Sequence, residues 1–200
     1  MAKRVLDVAA ATVALFLTLP ILVVTTIAIW ISMGPPPLFR QQRAGYHGRT
    51  FTLFKFRTMQ GPSIAGRESL DDAVRLTPMG RFLRRTSVDE LPQLLNVLRG
   101  EMSLVGPRPL LVDYLPHYSP TQARRHEVKP GITGWTQVCG RNSLNWNDKF
   151  ELDVWYVDHW SIGLDIRILL LTVQQVLLGR GVSSTGHVTM ARFDGNERHE

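Results

Sequence analysis

Residues 8–33 carry no charge, while Lys3 and Arg4 precede this run and Arg40 and Arg43 follow it. A straight helix of that length would reach ~39 Å, more than the ~30 Å hydrocarbon core of a bilayer. A membrane span is the first reading. The run is too long for the ~7–15-residue apolar region of a signal peptide, and no small-residue cleavage pattern closes it. Pro20, near the middle, removes a helix hydrogen bond. Basic flanks at both ends draw both towards the cytoplasm. A re-entrant hairpin satisfies both observations. Its arms, residues 8–19 and 21–33, would be roughly 18–20 Å long, too short to cross. Thr18 is placed to help the backbone groups freed at the bend. A Pro-kinked ordinary span is the alternative.

Beyond Gly34-Pro35-Pro36-Pro37, which ends any helix, the pattern turns mixed. Residues 51–59, aromatic and β-branched, predict a strand with Lys55 and Arg57 on one side. That pair reads as an anion site or as a solvated edge. Residues 60–72 are polar, contain Gly61, Pro62 and Gly66, and read as a mobile loop. Thr77-Pro78 starts a short helix bearing Arg81, Arg84 and Arg85. Ser87 and Glu90 have capping-box spacing, and Pro92 fits the first turn of a second helix. Leu91, Leu94, Leu95 and Leu98 then mark its core face, and Arg99-Gly100 its end. A helix is predicted over 146–159, with Trp155, Tyr156 and Trp160 near its end as core or membrane-interface aromatics. Residues 162–178 form a last apolar helix. Asp165 and Arg167 argue against a second span and for an amphipathic helix on the domain or the membrane. The tail from Ser183 is polar and loose.

The net charge of +6 suits nucleic acid, anionic lipid or phosphorylated substrates, though many proteins are this basic without such partners. The single Cys139 excludes an internal disulfide and a multi-cysteine metal site.

Asp89 and Glu90 thus sit at a helix start, shortly after an arginine cluster. Capping and the helix dipole alone would favour carboxylates there. Their surroundings add a second meaning: helix-start amides and arginines bind phosphate, and a carboxylate among them can hold Mg²⁺ or attack phosphorus. In Gly106-Pro107-Arg108-Pro109 two prolines present Arg108 with little entropy left to lose, or simply make a rigid turn.

The order of these segments resembles the monotopic bacterial phosphoglycosyl transferases, the bacterial sugar transferase family. The carriers are Lys3-Arg4-Val5-Leu6-Asp7, Pro20, Phe39-Arg40-Gln41-Gln42-Arg43 and Phe54-Lys55-Phe56-Arg57-Thr58-Met59. They continue with Thr86-Ser87-Val88-Asp89-Glu90-Leu91-Pro92-Gln93, Met102-Ser103-Leu104-Val105-Gly106-Pro107-Arg108-Pro109 and Lys129-Pro130-Gly131-Ile132-Thr133-Gly134-Trp135. The resemblance runs to about Gly181 and looks like the minimal catalytic form. It implies a mostly helical α+β protein. A re-entrant membrane hairpin broken at Pro20 (1–38) would precede a cytosolic catalytic domain (39–182) with amphipathic interfacial helices, then a tail (183–200). It implies location at the cytoplasmic face of the bacterial inner membrane.

The implied reaction moves a phosphosugar from a UDP-sugar to polyprenyl phosphate, usually undecaprenyl phosphate, with release of UMP. Asp89 would be the nucleophile, forming a covalent phosphosugar-aspartate, and Glu90 would position groups or handle protons. Mg²⁺ is the implied cofactor, held by Asp89. Lys55, Arg84 and Arg108 would bind substrate, with Arg141 and Asn142 in a further site motif. Some relatives carry Ser just before the break proline, where this chain has Leu19. Nucleic acid is not an expected partner, since no nucleic-acid motif is visible; homo-oligomerisation is left open. The competing reading is a non-catalytic, membrane-tethered basic module that binds anionic lipid or nucleic acid.

Overall fold

The computed structural model describes residues 1–61, 74–140, 144–178 and Phe193. It is mostly helical with two small sheets. Helix α1 spans Ala2–Met33 and holds Pro20 in its interior. The two arms expected from the sequence are therefore one hydrogen-bonded element, because an internal proline deletes one bond without ending the helix. The carbonyl it orphans is that of Phe16. Thr18 does not serve it: its hydroxyl donates to the Ala14 carbonyl at 2.7 Å, a back-bond of the kind that bends helices.

α1 is long and apolar enough to cross a membrane. Phe16, Leu17, Val24 and Ile31 are among its exposed side chains. Yet two points far apart on it are fully buried. Ala11 packs with Phe51, Leu53, Leu94, Val97 and Met102, and Ile29 packs with Phe56 and Leu83. The charges at its start are also engaged. Lys3 pairs with Asp165, Arg4 donates to the Val97 and Leu98 carbonyls, and Asp7 accepts from the Ser103 hydroxyl and the Leu104 N–H. At the other end Arg57 donates to the carbonyls of Met33, Gly34 and Pro35. Arg57 therefore closes the exit from α1 rather than joining Lys55 in an anion site: a helix C-terminus offers unpaired carbonyls and a partial negative charge.

Strands β1 (Leu38–Ala44) and β2 (Thr50–Phe56) form an antiparallel hairpin with Phe39 opposite Lys55, Gln41 opposite Leu53 and Arg43 opposite Phe51. The predicted strand stops at Phe56, where Arg57 turns away to α1. Thr77 caps α2 (Pro78–Arg85) as expected, accepting from the Gly80 N–H. The following segment departs from expectation. Ser87 adopts a left-handed backbone (φ 57°) and makes no side-chain cap, and Val88–Gln93 is a 3₁₀ turn that leads into α3 (Leu94–Arg99). A capping residue needs extended geometry, and the Glu90 carboxylate is drawn to cations instead. The change from three to 3.6 residues per turn rotates the face: Leu94 and Val97 are buried while Leu95 is 39% exposed. Asn96, fully buried, ties α3 to β2 by accepting from the Phe54 N–H and donating to the Thr52 carbonyl.

Strand β3 (Ser103–Val105) pairs in parallel with β4 (Gly131–Thr133). Between them run 3₁₀ turns and the four-residue α4 (Pro120–Ala123). α5 (Trp135–Cys139) follows β4. α6 (Trp146–His159) matches its predicted bounds, and α7 (Ile162–Leu177) matches within a residue. Tyr156 is core, whereas Trp155 and Trp160 are each more than a third exposed. The C-terminal segment expected to be loose lies outside the described residues except for Phe193, which is buried against Tyr114, Trp146 and Phe150. Most of the expected loop at 60–72 lies outside them too.

The glycines of the Gly106 and Gly131 turns meet backbone to backbone. A Cβ on Gly131 would lie 2.1 Å from the Gly106 nitrogen and 2.3 Å from the Thr133 carbonyl oxygen. Gly131→Ala must therefore pry β3 from β4. We expect it to cost roughly 1–3 kcal/mol, read as a fall of several degrees in thermal midpoint. An unchanged midpoint would show that the contact is not tight.

Candidate active site

Three elements deliver the site. The 3₁₀ turn after α2 buries Asp89, which is only 3% exposed. β2 brings Lys55, and the rigid turn after β3 brings Arg108. Lys55 Nζ lies 3.1 Å from Asp89 Oδ2 and 3.0 Å from Glu90 Oε1. Arg108 Nη2 donates to the same Glu90 oxygen at 2.8 Å. Arg84, from α2, donates through Nε to the Thr58 hydroxyl at 3.1 Å and adds its charge to the field at Asp89. The structure thus gathers Asp89, Glu90, Lys55, Arg84 and Arg108. Arg141 and Asn142 lie outside the described residues.

The turn carrying Arg108 is held from behind. The Gly106 N–H donates to the Thr133 carbonyl, and the Gly131 N–H to the Pro107 carbonyl. Arg125 donates to the Arg108 carbonyl at 2.8 Å while paired with Asp153 at 2.6 Å. Arg125 and Asp153 are both nearly inaccessible, and the Thr136 hydroxyl donates to the second Asp153 oxygen. A satisfied buried pair of this kind rigidifies what it grips.

The two carboxylates are electrostatically unequal. Burial pushes the Asp89 carboxyl above its ordinary value, and the Glu90 charge adds to that push against the opposing pull of Lys55. Burial acts on Glu90 in the same direction, but Arg108 and Lys55 outweigh it and hold Glu90 well below the usual carboxylate range. Glu90 is therefore a fixed anion that binds two cations, and Asp89 is the more basic carboxylate of the pair. A more basic carboxylate is the better nucleophile once ionised. The acid limb of kcat/KM should accordingly fall at an apparent pKa above the ~3.9 of an ordinary aspartate. A pH–rate profile checks this, and a limb at or below that value would contradict it.

Arg43, by sequence only a flank charge and a motif member, also comes to this site. Its register with Phe51 puts it on the Lys55 face of the hairpin. Burial, then the charge of Arg108, lowers its guanidinium to about 10. The signal available was the period-2 spacing of Gln41 and Arg43, and it becomes readable only once the register with β2 is known. Lys149 of α6 is lowered too, by burial and then by Arg108.

One wall of the neighbourhood is apolar. An open groove of about 460 Å³ is lined by Pro20, Ile21, Val24 and Thr25 of α1, Phe82 and Leu83 of α2, and Val88. Val88, which lines the groove and packs on the Ile29, Phe56 and Leu83 cluster, directly precedes Asp89 in the chain.

A family description, bacterial sugar transferase, matches residues 1–179. The chain belongs to the bacterial sugar transferase family. An uncharacterised sugar transferase of Bacillus subtilis, EpsL, is 56% identical over 194 residues, covering 97% of this chain and 96% of that protein. A UDP-glucose:undecaprenyl-phosphate glucose-1-phosphate transferase of Caulobacter vibrioides is 43% identical, covering 88% of this chain and 69% of that protein. An undecaprenyl-phosphate galactose phosphotransferase of Salmonella typhimurium is 38% identical over 88% of this chain, which spans 40% of that longer protein. This bacterial sugar transferase therefore corresponds in length to EpsL and to part of the larger relatives.

Proposed function

We propose that the chain is a phosphoglycosyl transferase that moves a phosphosugar from a UDP-sugar to undecaprenyl phosphate through a covalent bond to Asp89. The observation that carries this reading is the division of labour in the buried pair. Lys55 bridges both carboxylates and Arg108 pairs with Glu90, which leaves the buried Asp89 as the more basic of the two, with the charges of Lys55 and Arg84 acting on it. Phosphoryl transfer asks for alignment and charge neutralisation, and these fixed cations supply both.

In the first step an Asp89 oxygen bonds to the β-phosphorus as the bridging P–O bond breaks, and UMP leaves with that bond's electrons. In the second, a phosphate oxygen of the lipid attacks the same phosphorus and displaces the Asp89 carboxylate, giving the polyprenyl diphosphate sugar. Lys55 screens the diphosphate charge from the attacking carboxylate, and Arg108 orients its oxygens bidentately. Among the described residues no group of three or more His, Cys, Asp or Glu side chains forms a protein-only metal cage. A carboxylate beside a phosphate site is nonetheless the donor set Mg²⁺ uses, with substrate oxygens completing its shell. Asp89 would hold it, and it would supply further neutralisation of the diphosphate.

The apolar groove fits the isoprenoid chain of the acceptor, whose phosphate would then reach Asp89 past Val88. A re-entrant α1 at the cytoplasmic face of the membrane is part of this reading. Supporting it are Pro20, the basic flanks and the attachment of both ends of the helix to one domain. Single cysteines placed near residues 3 and 43, in a Cys139→Ser background, should both label from the cytoplasmic side; labelling from opposite sides would end the re-entrant reading.

The function is tested by incubating the protein with UDP-glucose, UDP-galactose and other UDP-sugars, Mg²⁺ and undecaprenyl phosphate. UMP release with at least one donor is expected. No release with any donor would favour the non-catalytic basic module.

A further inference from the structure

Among the described residues Arg43 is an arginine without an anion. Its Nη2 donates to the Gln41 amide oxygen at 2.6 Å, and Nη1 reaches the Pro109 carbonyl only at 3.4 Å. Its Nε is buried with no hydrogen-bond partner. Among the described residues it has no ion pair, although it lies within the field of Arg108 and Glu90. Lys55 and Arg108 already share Glu90, so Arg43 adds a cation to a site whose fixed negative charge is spoken for. A mostly buried guanidinium with an orphaned donor, next to a second guanidinium, is unfavourable until an oxyanion arrives.

Its position is built rather than incidental. The hairpin register sets Gln41 and Arg43 on the face that carries Lys55, with Arg43 opposite Phe51, and the Gln41 amide steadies one guanidinium nitrogen. The Ala44 N–H donates to the Leu110 carbonyl at 3.0 Å, which fastens the end of β1 to the chain just after the Arg108 turn. Arg43 and Arg108 are thereby carried on two segments that cannot drift apart independently.

We infer that Arg43, with Arg108, anchors the phosphate that is not transferred, and that this one anchor serves both half-reactions. This rests on the proposed transfer through Asp89. In-line displacement puts the leaving oxygen opposite the attacking one. In the first step Asp89 attacks and the UMP phosphate departs from the far side of the phosphorus. In the second step Asp89 is the leaving group, so the lipid phosphate enters from that same far side. The departing nucleotide phosphate and the incoming lipid phosphate therefore occupy one place in turn. Arg43 gives that place a cation beyond the Lys55–Glu90–Arg108 cluster.

The test uses the full chain with Arg43→Gln and Arg43→Lys. Three quantities are measured: the dependence of UMP release on UDP-sugar without acceptor; the dependence of single-turnover discharge of the labelled enzyme on undecaprenyl phosphate; and the Kd of inorganic pyrophosphate. Arg43→Gln should weaken half-saturation in both half-reactions, and pyrophosphate binding, by roughly 10- to 100-fold, the scale of a charged hydrogen bond. Arg43→Lys keeps the charge without the fork and should recover part of each loss. A purely structural arginine would instead lower the thermal midpoint and leave the three saturation constants in place. Unchanged constants in Arg43→Gln overturn the anchor; if that variant does not fold, unchanged constants in Arg43→Lys do so. A loss confined to one half-reaction overturns the shared site. A wild-type protein that released no UMP would instead defeat the proposed function, and the pyrophosphate arm would still decide on Arg43.

Discussion

Asp89→Asn should lower UMP release by on the order of 10⁴-fold or more, the scale on which an attacking group is lost from an otherwise intact site. The amide is nearly isosteric and its oxygen still accepts from Lys55, so the fold and the binding of UDP-sugar should survive. A thermal midpoint within a few degrees of wild type, together with near-normal pyrophosphate affinity, would separate lost chemistry from lost structure. Turnover at the wild-type rate would remove Asp89 from the nucleophile's role.

Glu90→Gln is the second large effect, and it distinguishes two roles for Glu90. Neutralising Glu90 removes the anion that fixes both Lys55 Nζ and Arg108 Nη2. Two positioned cations then lose their alignment, which should reduce kcat by roughly 10²–10³-fold. Stability should fall by about 1–3 kcal/mol, since Arg108 is 48% exposed and water can replace part of what it loses. That contribution has a defined pH window. A carboxylate whose folded pKa is depressed stabilises above its unfolded value of ~4.3 and loses the effect as pH falls through the folded one. The acid limb of the pH–rate profile carries the decision. The Glu90 charge helps hold the Asp89 carboxyl up, so Glu90→Gln should move the limb to lower pH while keeping its shape. Disappearance of a limb would instead assign Glu90 to proton transfer.

What the sequence made legible was local. The Thr77 cap, the bounds of α6 and α7 and the Gly100 stop each follow from a few adjacent residues, and the structure has them. Asp89, Glu90, Lys55, Arg84 and Arg108 were nameable because an ordered set of motifs carried a family resemblance. Spacing alone would have left the carboxylates as helix caps. What stayed hidden depends on partners distant in the chain. Lys3 and Arg4 read as topology signals, yet Lys3 pairs with Asp165 and Arg4 grips the end of α3. Arg57 looked like a companion of Lys55 by period 2, but it turns to the carbonyls at the end of α1. Ser87 and Glu90 had the spacing of a capping box, and tertiary cations took Glu90 from it. The parallel β3–β4 pair is three residues long on each side, too short to leave a periodic signal. Arg43 needed the hairpin register before it could be placed beside Arg108.

If Asp89 carries the phosphosugar between donor and acceptor, the adduct must accumulate when the acceptor is withheld. The most direct measurement is to mix the protein with the donor selected by the UMP screen, omit the lipid, quench and map the modified peptide by mass spectrometry. About one UMP should be released per active site, with the mass of one sugar phosphate on Asp89 that is removed when undecaprenyl phosphate is added. Turnover that requires both substrates together, with no adduct on Asp89 at any time, would contradict this.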